Sequence, residues 1–178
     1  LYQLHALSSI EEVEKCFMSG GTMELILKAR EAGKIRFIGF SAHSQEAALL
    51  AMDKFNFDTI LMPFNFVCMF QGNFGGAALE KAKKKEMGIL ALKALALSPI
   101  PEGQPNPYKK MWYVPMEDDA LASLSLRYTL SLGTTAAVPP GDARIWEKAI
   151  RIAQGNLDIS GEEVSQLKLK AKEIQPLF

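Results

Sequence analysis

Five short apolar runs in this 178-residue chain each end on polar groups. His5 closes the first, Ser41-Ala42-His43 the second, Pro63-Phe64-Asn65 the third, Lys93 the fourth and Pro140-Gly141-Asp142 the fifth. Imidazole, hydroxyl, amide and ammonium are the groups with which a protein moves protons or holds anions. In a parallel α/β fold, ligands bind at the carboxyl ends of strands. If the five runs are strands, a site lies at their exits.

Other chemistry-bearing patterns read as structure. No glycine-rich phosphate loop follows any of the runs. Gly20-Gly21 is a turn into a helix, and Gly72-Asn73-Phe74-Gly75-Gly76 is another that could hold an anion at a helix N-terminus. Asp118-Asp119 complements a helix dipole, and Lys83-Lys84-Lys85 is a solvated face. Cys16 and Cys68 form no CxxC pair and no Cys/His cluster accompanies them, so no metal site is expected. One disulfide is arithmetically possible; two reduced thiols in a cytoplasmic protein is the expected state.

The elements that must position the exits alternate. Residues 1–5, 35–40, 59–62, 89–92 and 134–138 read as strands, the second a near-continuous apolar run of the kind buried on both faces. Between them lie helical stretches: residues 22–32, with Thr22 as cap and Gly33 as exit; a helix capped by Ser44; and residues 76–86. Further helices start at Asp118, after Asp142, and at the capping box Ser160-Gly-Glu-Glu163. About five strands and six helices follow. The alternation means βα units, a parallel sheet and one domain over residues 1–178. Residues 98–115, with five prolines, form a long loop, and its Tyr108, Met111, Trp112 and Tyr113 favour packing over disorder.

Composition narrows the class. Twenty basic residues balance twenty acidic ones, 48% of the chain is hydrophobic and 22% charged. That balance argues against a broad phosphate-neutralising surface for nucleic acid and against a polybasic membrane module. No apolar run reaches the roughly 18 residues of a membrane span, and no secretory leader opens the chain, so a soluble protein is expected. The first residue is Leu1, inside a strand-like run, so the start is expected to be a cut.

At the exits the sequence resembles the aldo-keto reductases. Leu1-Tyr-Gln-Leu-His5 resembles that family's fourth barrel strand, which ends in the active-site histidine. Residues 33–43 are similar to its fifth strand, Met62-Pro-Phe-Asn65-Phe to the sixth exit and residues 87–95 to the seventh. Residues 130–141 resemble the eighth strand and the start of the dinucleotide-phosphate site. The resemblance runs to about residue 155, with its motifs in the family's order and spacing.

The resemblance implies an α/β fold of a specific kind: a partial (β/α)8 TIM barrel, strands four to eight, of an oxidoreductase that reduces aldehydes or ketones with NADPH, NAD being possible. In that family an aspartate, a tyrosine, a lysine and a histidine act together, the tyrosine protonating the developing alkoxide. Here only the histidine has a counterpart, His5; the other three belong to segments upstream of the fourth strand. The cofactor residues implied are Ser41, His43, Lys93, Leu95, Gly141 and Arg144, and the substrate residues Asn65 and Trp112. Ala42, Leu61 and Leu92 depart from the family pattern, and Asp142 stands where a 2′-phosphate would meet an acid. Each assignment has a structural alternative: His5 as a satisfied histidine, Ser41 and His43 as caps, Lys93 as a solvated loop residue. The competing function is a non-catalytic module that binds a dinucleotide or a partner chain. The missing barrel portion or a second copy is the expected partner, because strands four and eight would each lack a neighbour.

Overall fold

In chain order, the elements are β1 (Tyr2–Leu7), α1 (Ile10–Phe17), α2 (Thr22–Glu31), β2 (Ile38–Ala42), α3 (Gln45–Lys54), β3 (Thr59–Pro63), α4 (Phe66–Phe70), α5 (Gly76–Lys84) and β4 (Gly88–Leu92). There follow β5 (Ala96–Pro99), β6 (Tyr113–Pro115), α6 (Asp119–Ser131), β7 (Ala136–Ala137), α7 (Ala143–Ala153) and α8 (Gly161–Ala171). This computed structural model describes every residue, Leu1–Phe178. It is an α/β fold whose five-stranded sheet has the order β1-β2-β3-β4-β7, with β1, β2 and β3 paired parallel. By their contacts the residues form two compact units, Leu1–Met62 with Gly75–Leu90, and Pro63–Phe74 with Ala91–Phe178.

In the first unit, the register sets Tyr2 beside Ile38, Leu4 beside Phe40 and Phe40 beside Ile60. All five residues of β2 are buried, as an apolar run covered on both faces requires. The strand begins three residues later than the apolar run suggests. Asp58 explains the shift: its carboxylate accepts from the Ile38 N–H at 2.8 Å, and its own N–H donates to the Ile38 carbonyl at 2.8 Å. α1 is an element that the apolar pattern passes over, a two-turn helix capped by Ser9 that buries only Val13. α2 corrects the expected cap. Gly21, not Thr22, holds that position, and a Cβ there would stand 2.6 Å from the Cys16 carbonyl. Ser44 does cap α3, accepting from the Ala47 N–H at 3.1 Å.

In the second unit, the end of β4 receives β7, with the Val138 N–H donating to the Ala91 carbonyl at 2.8 Å. Phe66, Leu95, Met116, Leu126, Ile145 and Leu167 form its buried core. The proline-rich stretch is more ordered than a loop. Its two ends are β5 and β6, paired antiparallel with Ala96 beside Pro115 and Pro99 beside Tyr113. A two-stranded ribbon has outer edges on both sides, where a proline's missing N–H is tolerated. Ser160 and Glu163 make the expected capping box at the head of α8. No helix is long and apolar enough to cross a membrane.

Candidate functional site

His5 lies in β1 of the first unit, exposed, between two residues that Ser41 grips. The Ala6 N–H donates to the Ser41 hydroxyl at 2.6 Å, and that hydroxyl points back to the Leu4 carbonyl at 3.4 Å. Ala6 has φ +49°, a left-handed backbone that a residue with a Cβ rarely adopts, and the β1–β2 register shifts between Leu4 and Leu7. Ser41 is itself buried. Its hydroxyl therefore holds the irregular backbone around His5. The sequence assigns Ser41 to a cofactor; in the structure its side-chain atoms face β1. His43 follows at the strand exit, exposed, with its N–H donating to the Leu7 carbonyl at 3.0 Å.

The second unit builds a cleft from the exits of β4 and β7. It has a volume of about 240 Å3, and Lys93, Lys110, Trp112, Tyr113, Pro140 and Gly141 line it. Lys93 follows β4 in a left-handed turn, φ +66°, closed by the Ala96 N–H donating to the Lys93 carbonyl at 2.9 Å. For a lysine that backbone costs roughly 1 kcal/mol or more. Its ammonium nitrogen sits 4.2 Å from the Tyr113 ring centre and 5.0 Å from that of Trp112. Burial pushes the Lys93 pKa down, while the nearby Cys68 pulls it back up. Cys68 itself is driven to about 11 by burial, so its thiol stays protonated near neutrality.

Lys93 and Tyr113 meet as an ammonium against a ring face. Burial raises the pKa of that phenol. An acid that protonates an alkoxide near pH 7 needs the opposite shift.

On the far side of the cleft Gly141 passes tightly over Lys110, where a Cβ would come within 3.0 Å of the Lys110 carbonyl. Asp142 caps α7, accepting from the Arg144 N–H at 3.0 Å. The Arg144 guanidinium then turns onto the same carboxylate, with Nε at 3.1 Å and Nη2 at 2.9 Å. That pair holds the Asp142 carboxyl below the usual range. Arg144 thus neutralises Asp142 before any ligand arrives.

Of the residues expected at a site, Lys93, Leu95, Trp112 and Gly141 meet at this cleft, and Leu95 also belongs to the core. Asn65 is buried behind it, and its amide is fully engaged. The oxygen accepts from the Cys68 N–H at 2.8 Å, and the nitrogen donates to the carbonyls of Lys93 at 2.8 Å and Ala96 at 3.4 Å. The sequence assigns Asn65 to substrate; the structure gives its amide to the turn. Sequence reasoning passes over Lys110, Ser125 and Thr129. Ser125 donates to the Ala94 carbonyl at 2.6 Å and Thr129 to the Phe64 carbonyl at 3.0 Å, both from the buried face of α6. Small hydroxyl residues four apart on a core-facing helix stripe are the signal that could have found them.

An ammonium group, aromatic faces and a glycine turn suit a phosphate-bearing, partly planar ligand. At about 240 Å3 the cleft is smaller than the usual ligand pocket. No three His, Cys, Asp or Glu side chains cluster so as to hold a metal ion.

No family model matches the sequence, and no curated protein does. Solved structures do. An aldo-keto reductase from Bacillus halodurans, in its holo form, superposes with a TM-score of 0.60 at 17% identity, covering 96% of this chain and 57% of that one. The fold is similar to that of part of an aldo-keto reductase. An aldose reductase from Giardia lamblia gives a TM-score of 0.60 at 15% identity over 88% of this chain and 52% of its own. A glycerol dehydrogenase from Gluconobacter oxydans gives 0.56 at 17% identity over 99% and 61%. The chain thus spans less than two thirds of the length of each of these proteins.

Proposed function

We propose that the chain is the C-terminal part of an oxidoreductase of aldo-keto reductase type, its sheet strands corresponding to strands four to eight of a (β/α)8 barrel. In this reading the cleft at Lys93 and Gly141 receives the pyrophosphate of NADPH or NADH, and His5 hydrogen-bonds the carbonyl of an aldehyde or ketone. A bound nicotinamide supplies the hydride. This chain's own residues bind and orient: Lys93 and Lys110 offset phosphate charge, Gly141 lets the backbone approach, and Ser41 holds the backbone on either side of His5. The observation that carries the reading is the juxtaposition of Lys93 and Gly141 at neighbouring strand exits, in a fold similar to that of a solved aldo-keto reductase.

Titrating the chain with NADPH, followed by nucleotide fluorescence, tests it. Saturable binding is expected, weakened about tenfold in Lys93→Met, because a half-buried ammonium contacting phosphate is worth about one such factor. No binding at millimolar nucleotide overturns the reading. With an aldehyde added, the chain as it stands is expected to bind NADPH without oxidising it, since His5 is the single member of the catalytic set that it carries.

A second reading is a non-catalytic dinucleotide-binding module. It is favoured by Ser41 and Arg144, whose polar groups are engaged within the protein. Joining the chain to the upstream barrel portion of a related reductase separates the two. Carbonyl-dependent NADPH loss that disappears in His5→Ala supports the enzyme; binding without turnover supports the module.

A further inference from the structure

We propose that Asn65 is a positioning residue that holds the turn over residues 93–96 so that the Lys93 ammonium faces the cleft. The inference rests on reading that cleft as an anion site.

A lysine at φ +66° is unusual, because its Cβ crowds the carbonyl that follows, and such a residue persists only where its surroundings over-determine it. The surroundings here do so through carbonyls. Asn65 Nδ2 donates to the Lys93 carbonyl at 2.8 Å and reaches the Ala96 carbonyl at 3.4 Å, the two ends of the turn. Ser125 Oγ holds the Ala94 carbonyl between them at 2.6 Å. The Asn65 oxygen is fixed by the Cys68 N–H at 2.8 Å at the head of α4. Thr129 grips the preceding residue through the Phe64 carbonyl at 3.0 Å. Asn65, Ser125 and Thr129 are all buried.

The strain has a consequence for direction. A left-handed residue sends its side chain away from the line of the strand before it, and Lys93 comes to rest over Tyr113 and Trp112 in the cleft. If the turn relaxed to an ordinary negative φ, the ammonium would leave those rings. Asparagine suits the task because one side chain accepts a helix-capping hydrogen bond and donates two others. The rings of Trp112 and Tyr113 face the Lys93 ammonium, and Cys68 of α4 is the titratable group that acts on its charge.

Asn65→Ser keeps a capping hydroxyl for the Cys68 N–H and removes both donors to the turn. The full chain is compared as wild type, Asn65→Ser, Lys93→Met and the double variant. Affinity for NADPH and for inorganic pyrophosphate is read by calorimetry, and the Lys93 amine is titrated by NMR on 13C-lysine protein, Lys93→Met assigning its signal. Asn65→Ser is expected to weaken both ligands about tenfold, with no further loss when Lys93 is already methionine. The Lys93 titration, lowered in the wild type, is expected to move up toward the ordinary lysine range. Equal losses with and without Lys93, or a Lys93 titration unmoved by Asn65→Ser, overturn the proposal. If the wild type binds neither ligand, the anion-site reading fails, and the titration alone decides whether Asn65 positions Lys93. Should Asn65→Ser fail to fold, Ser125→Ala frees only the Ala94 carbonyl. It is expected to give a loss of about threefold with the same dependence on Lys93, and a loss independent of Lys93 overturns the proposal.

Discussion

Arg144 lays Nε and Nη2 of its guanidinium on Asp142, and that geometry decides what the fifth strand exit offers a ligand. A bidentate pair is directional, so the arginine that could meet a 2′-phosphate is turned toward a carboxylate instead. Asp142→Ser keeps a side-chain oxygen for the helix cap and releases Arg144. We expect it to raise the affinity for NADPH relative to NADH roughly tenfold, discounting the strength of a charged hydrogen bond for the exposure of Arg144. Parallel titrations with the two nucleotides check this, and an unchanged ratio refutes it. Parts of this site are legible in the sequence. Lys93 and Gly141 end apolar runs, so pattern alone puts them at strand exits, and the structure has both lining one cleft. Ser41 and Asn65 also stand at exits, yet their polar atoms serve left-handed backbone at Ala6 and Lys93. A hydroxyl that faces a ligand and one that faces its neighbour's backbone are the same letter. Only the φ outliers distinguish them, and no local residue preference announces a left-handed alanine or lysine.

At the scale of elements, helix caps were the most legible features, because a cap is a local hydrogen bond made by a few residue types. Ser44, Asp118 and the Ser160–Glu163 box stand where the sequence puts them. What it missed is what local pattern does not encode. α4 is too short to show a periodic face, α1 buries only Val13 of its apolar positions, and the β5–β6 ribbon depends on pairing across a proline-rich stretch. The cap of α8 also carries a pH dependence. Glu163 accepts from Arg127 Nη2 at 2.6 Å and from the Ser160 N–H at 2.8 Å, and the Arg127 hydrogen bond first of all takes its carboxyl from 4.5 down to about 2. A depressed acid adds stability that is complete above its unfolded value and is lost as pH falls toward its folded one. Between pH 5 and pH 2 the wild type should therefore lose hydrogen-exchange protection in α8, after normalisation for intrinsic exchange. Glu163→Gln should begin less protected and lose less over that range. Equal slopes for the two proteins would show that the ion pair contributes nothing to holding α8.

At the scale of the molecule, the apolar face of α7 bears on how the chain behaves in solution. Trp146 is 51% exposed and Ile150 44%, and both border a groove completed by Leu130, Val138, Pro139 and Ala153. Alongside it β7 is the last strand of the sheet order, two residues long, with β4 as its single neighbour. A strand edge offers unpaired backbone groups, and an apolar groove beside it offers area, the two ingredients of association between chains. Solved reductases of this fold extend well beyond the part that this chain matches, and β1 and β7 close the two ends of its strand order. We therefore expect the chain on its own to self-associate through the α7 face. A groove of this size supports a weak interface, with a dissociation constant on the order of 10–100 μM. Sedimentation equilibrium across that range should show the mean mass rising with concentration. Trp146→Ser with Ile150→Ser should return it toward the monomer value without altering the far-ultraviolet spectrum, since both side chains lie half outside the core. A wild type that stays monomeric throughout would mean that the groove alone drives no association. A rise that persists in the double variant would move the contact to the open edge of β1 or β7.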